Sequence, residues 1–201
     1  ILLELCIQQN ISYQTKRIII MAESSSNLSI EQVFHNDLHS TSPPSTGWML
    51  TFQRCPTSRS SGLKIGESYL PDGMREFGKY PTVSLGWIMF IGMAIAKYWD
   101  EDWELYSKVE DLYKYLRDRI DFDHMDDYIC EKILLLDDKG KTELSGIVAE
   151  CASHTYNLLC HQHLEPGTQE TFRAYIAALQ QMYLMGAAIE LKALGYHMTK
   201  L

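Results

Sequence analysis

Between residues 56 and 80 the chain interleaves four glycines, Gly62, Gly66, Gly73 and Gly78, with four basic side chains, Arg59, Lys64, Arg75 and Lys79. Glycine lets a backbone approach an anion closely and the basic groups supply charge, which is the chemistry of phosphate-binding loops and amide nests. Residues 73–79 even satisfy G-x-x-x-x-G-K, the P-loop pattern. The match lacks its context. Tyr80 stands where a Ser or Thr must hold magnesium, Pro81 removes an amide donor where the helix should begin, and residues 68–72 are not a buried strand. A chance match in a Gly-rich stretch is the better reading, and no cofactor is expected. The four basic residues stay as candidate ligands for a small anion. The plainer alternative is that they solvate a loop or pair with Glu67, Asp72 and Glu76 inside it.

Other residue types suited to chemistry are scattered. Glu31, His35 and His39 recur at i,i+4, Glu150 and Cys151 have helical spacing to His154, and His161 lies two turns further on. None of these is a specific metal signature, so no metal is assigned, although histidine-bound metal remains part of the rival functional reading below. Asp100, Glu101, Asp102 and Glu104 form an acidic run, and Asp126 and Asp127 adjoin His124. General acid/base work is one use for such groups. Complementing the positive end of a helix is a sufficient structural use. No G-x-S-x-G elbow occurs, and Cys6, Cys55, Cys130, Cys151 and Cys160 are odd in number and never spaced C-x-x-C. That pattern fits free thiols in a reducing compartment, so the cytoplasm is the expected location.

Helices must position these groups. The 46% hydrophobic and 22% charged composition is that of an ordinary globular chain. Ser29 and Gln32 make a capping box for a helix over 28–39, and Ser and Pro residues make 40–46 a linker. A short helix carrying Trp48, Met49 and Phe52 follows, and 56–80 reads as a long loop. Further helices are expected at 83–98, 101–119, 124–136, 143–162 and 169–194. The 101–119 helix rests on the stripe Leu105, Val109, Leu112, Leu116 and Ile120, and the last helix ends where Gly195 can take a left-handed position. The uncharged run 83–96 is shorter than the ~20 residues of a bilayer span, which predicts a buried central helix and no membrane. Small residues within it, Gly86, Gly92, Ala94 and Ala96, would let neighbouring helices come close.

The expected architecture is all-α, an irregular helical bundle of five or six helices with an N-terminal extended, loop-rich segment. Residues 28–201 form one domain in which 28–80 wrap around a core supplied by 81–198. Residues 1–27 read as a non-native or flexible segment. Lys16 to Ile20 back-translate into an A- and G-rich stretch and an A/T-rich spacer, which would make Met21 the start.

The net charge of −8 argues against nucleic acid and anionic membrane surfaces, whose affinity comes from clustered Lys and Arg. Helix chemistry accounts for nearly every conspicuous residue. The functional expectation is therefore a non-enzymatic binding or assembly module with a protein partner or homo-oligomer. Its rival is an enzyme or anion binder that uses residues 56–80, with or without histidine-bound metal.

Overall fold

The computed structural model describes residues 59–120 and 122–196, with side chains from Ile65 onward. The helix expected at 28–39, the linker at 40–46 and the short helix around Trp48 lie outside the described residues. Within them the fold is all-α, as expected. Its α-helices are α1 (Arg59–Phe77), α2 (Pro81–Tyr106), α3 (Leu112–Arg117), α4 (Met125–Tyr128), α5 (Asp138–His161) and α6 (Gln169–Ala193). A 3-10 turn, Phe122–His124, precedes α4 and a π-helical turn, Ile129–Ile133, follows it.

The apolar run of α2 makes it the axis of the bundle. Every residue from Ser84 to Ala96 is buried, including Trp87, Phe90 and Ile91. By length and composition α2 could cross a bilayer, yet 72% of its most apolar window is buried inside the protein. Its most extensive partner is α6, with α5 and α1 completing the jacket. Two glycines make the main crossing. A Cβ on Gly92 would collide with the Tyr183 carbonyl oxygen, and one on Gly186 with that of Met89. The backbones of α2 and α6 therefore touch, which the small residues of α2 had suggested.

Local signals fix the helix ends. Thr168 caps α6, its hydroxyl accepting from the Thr171 amide at 3.2 Å, and Asp137 caps α5 by accepting from Gly140 at 2.8 Å. At the other end of α6, Gly195 adopts φ +87°. The Tyr196 amide returns to the Leu191 carbonyl and that of Gly195 to Lys192, the pair of bonds of a Schellman ending.

Three expectations require correction. First, residues 59–77 are helix, not loop. Ile65, Tyr69, Gly73 and Phe77 recur every four residues and make an inward stripe that buries Ile65, Tyr69 and Gly73 and half-buries Phe77. Pro71 and Glu67 are exposed, so the carbonyl that Pro71 cannot serve lies toward water. Packing thus overrides the poor propensity of three glycines and a proline.

Second, there is no continuous helix over 101–119. Residues 81–106 run together up to a kink at Asp102 (φ −162°, ψ 81°), and the chain then breaks before α3. Aspartates cause both interruptions, because their carboxylates compete for backbone amides. Asp102 accepts from Leu105 at 3.0 Å, and Asp111 accepts from Lys114 at 3.0 Å to start α3. Leu105 is left 57% exposed instead of inward. The acidic run 100–104 consequently lies at the C-terminal end of α2, not at the start of a helix. Third, the 124–136 helix is a composite of 3-10, α and π turns.

Candidate functional site

The C-terminal half of α1 meets α2 and α6 through a buried polar cluster. Gly73 is the seat of it: a Cβ there would lie 2.5 Å from Tyr69 Cε1 and 3.0 Å from the Tyr175 hydroxyl. In the space so left, the Ser84 hydroxyl donates to the Gly73 carbonyl at 2.8 Å and lies 2.9 Å from the Tyr175 hydroxyl. Ser84 has one proton and directs it to Gly73, so Tyr175 is the donor in that pair. Tyr69 donates to the Ser84 carbonyl at 2.5 Å. Burial pushes the Tyr175 phenol up to about 12 and Tyr69 well above the usual phenol range, so both stay protonated donors.

A second tie holds α1 to α3. The Asp72 carboxylate accepts from the Tyr113 hydroxyl at 2.6 Å and pairs with Arg117 at 3.5 Å and Arg75 at 3.4 Å. The two guanidiniums also lie 5.2 and 5.5 Å from the centre of the Phe122 ring. Ser68 adds a bond to Asp111, 2.7 Å long.

Beyond this cluster a cavity of about 470 Å³ opens to solvent. One wall is the last turn of α1, Met74 and Phe77, and the other is the first turns of α6, Phe172 and Tyr175. Gly167 and Thr168 form its edge, held in a turn in which the Thr168 amide bonds the Glu165 carbonyl at 3.3 Å and Gly167 takes φ +79°. Both threonine hydroxyls there, Thr168 and Thr171, also donate to the Glu165 carbonyl, at 2.8 and 2.5 Å. The Phe77 ring stands 4.6 Å from that of Tyr175 and 6.1 Å from that of Tyr156. Met74 and Phe172 remain 50% and 42% exposed, so two large apolar side chains face water at the mouth of one concavity.

The basic residues are distributed differently from a cradle. Arg59 and Arg75 are separated by about 24 Å of helix at 1.5 Å per residue, so they do not converge on one small ligand. The side chains of Arg59 and Lys64 lie outside the described residues. Arg75 is turned to Asp72 and to Glu76, the latter at 3.1 Å, which is the plainer alternative for that residue. Lys79 is exposed in the turn after α1. The G-x-x-x-x-G-K match falls across the helical end of α1, where Gly73 is packed among tyrosines and has no room for a phosphate.

Of the remaining candidates, Glu31, His35 and His39 lie outside the described residues. Among the described residues no three His, Cys, Asp or Glu side chains gather as metal ligands would. His124 lies 4.0 Å from Asp127, and Lys141 bridges Asp127 and Glu131 at 2.8 Å each, a surface ion cluster. Burial raises the Cys130 and Cys151 thiols to about 11, so both are protonated at neutral pH and poor nucleophiles. Reasoning from spacing missed the cavity because its walls come from segments about a hundred residues apart. The available clue was the clustering of turn residues 165–168 before an aromatic-bearing first turn. Compared with known proteins, the chain matches no family model, no curated protein and no solved structure.

Proposed function

We propose that the chain is a non-enzymatic helical binding module whose contact site is the cavity between the end of α1 and the start of α6. The observation that carries this reading is the pairing of half-exposed Met74 and Phe172 across an open apolar concavity of about 470 Å³. Ligand pockets of roughly 300–1,000 Å³ with mainly apolar lining are the usual form of a binding site. The polar groups nearby serve the fold: Ser84, Tyr69 and Tyr175 fasten α1, and Thr168 and Thr171 fasten the turn before α6.

Native mass spectrometry of the purified chain tests the reading. A discrete adduct on the wild type that disappears in Phe172→Asp is expected. Stoichiometric metal, or conversion of a retained molecule into a released product, would overturn the non-enzymatic reading. An adduct or subunit contact indifferent to Phe172→Asp would place binding elsewhere on the surface.

A further inference from the structure

We infer that the cavity takes a neutral, flat apolar molecule and discriminates against its anionic counterparts; the inference rests on the cavity being the binding site. The wall chemistry supports it. Phe77, Phe172 and Tyr175 present ring surfaces, and Met74 adds an unbranched thioether that adapts to a planar guest and contacts aromatic edges favourably. A volume of about 470 Å³ suits a fused-ring molecule.

The hydroxyl groups at the wall are already engaged, which leaves the neutral Gln169 amide as its one further polar side chain. The Tyr175 hydroxyl is held by Ser84, and the hydroxyls of Thr168 and Thr171 are held by the Glu165 carbonyl. The start of α6 is the feature that would favour an anion, but it carries its own answers. Thr168 accepts the Thr171 amide, and Glu170 places a carboxylate in the first turn. The nearest basic residue on α1, Arg75, is directed to Asp72 and Glu76. A carboxylate drawn into the cavity would therefore lose hydration, and no basic side chain lines the cavity to offset that loss.

The test compares two probes of equal shape, 1-methylnaphthalene and 1-naphthoate, by ligand-observed NMR on the full chain and on three variants. Phe172→Asp and Met74→Gln alter half-exposed wall positions, and Ile147→Asp alters an exposed apolar residue outside the wall. The expected result is methylnaphthalene binding at least tenfold tighter than naphthoate, lost in Phe172→Asp, weakened in Met74→Gln and unchanged in Ile147→Asp. Naphthoate binding equally or more tightly, and lost in Phe172→Asp, would overturn the ligand class while leaving the site intact. If neither probe binds, or if binding ignores both wall variants, the site itself is wrong and the ligand class falls with it. Should Phe172→Asp fail to fold, Met74→Gln decides alone.

Discussion

Leu135 sits at φ +55° and is 73% exposed, so it bears the steric cost of a left-handed backbone without the return of burial. Left-handed geometry costs an L-residue roughly 1–2 kcal/mol, and glycine's larger unfolded-state entropy returns part of that. Leu135→Gly should therefore stabilise the fold by about 0.5–1 kcal/mol, read as a higher urea midpoint at unchanged slope; a lower midpoint would show that the leucine has a packing role. Glu190 presents the opposite case, a carboxyl buried beside α2. Burial raises its pKa; Lys97 opposes that shift, and Asp100 and Glu101 add to it. A raised folded-state pKa means that its contribution to stability is fully present below the ordinary carboxylate range, about pH 4.3, and is lost as pH rises through the folded value. Glu190→Gln should thus be more stable than wild type at pH 7.5, with the difference closing near pH 4. Equal unfolding midpoints at pH 7.5 would mean that the ionised carboxylate is adequately solvated.

At the scale of elements, the α2–α6 crossing depends on glycine in a way that exposed glycines do not. Gly186→Ala places a methyl against the Met89 carbonyl, and because backbone must move, the cost should reach about 3 kcal/mol or more. Gly146 in α5 has open space, with nothing beyond its own helix backbone within 4 Å of where a Cβ would stand, so Gly146→Ala should gain about 0.5–1 kcal/mol from helix propensity alone. Thermal unfolding of the two variants should move in opposite directions; a neutral Gly186→Ala would mean that the helices separate freely. The sequence made α6 legible because Thr168 and Gly195 are local punctuation acting on their own neighbours, whereas Asp137 caps α5 so that it begins at Asp138, ahead of the expected 143. It hid α1, whose inward stripe includes a tyrosine that must find Ser84 and a glycine that must make room for Tyr175. Those requirements are met only by residues remote in the chain. The stripe from Leu105 to Ile120 misled for the converse reason: its period was helical, but the carboxylate of Asp102 captured an amide at a kink and that of Asp111 capped a separate helix.

At the scale of the whole fold, the expectation of an all-α bundle held because the apolar run 84–96 is buried beneath the other helices, while the cavity stayed invisible because it belongs to no single segment. The polar cluster around Ser84 decides how firmly α1 closes that bundle. Ser84→Ala removes the donor to Gly73 and leaves the Tyr175 hydroxyl without its acceptor, a loss of about 2 kcal/mol within the 1–3 kcal/mol range for such groups. Native-state hydrogen exchange should then quicken in α1 before α2 and α6; uniform acceleration would show that α1 and the core open as one unit. The backbone contact at Gly92 and Gly186 has a mechanical corollary. With the Tyr183 carbonyl seated over Gly92 and that of Met89 over Gly186, α2 and α6 cannot slide past each other and behave as one stiff beam. Phe172 and Tyr175 are mounted on that beam, whereas Met74 and Phe77 hang from α1 beyond the short turn in which the Lys79 and Tyr80 amides both bond the Glu76 carbonyl. Backbone widening of the mouth therefore takes a swing of α1 about that turn, so beyond what the Met74 and Phe172 side chains yield, the largest guest is set by the reach of a hinge, not by the breathing of the bundle.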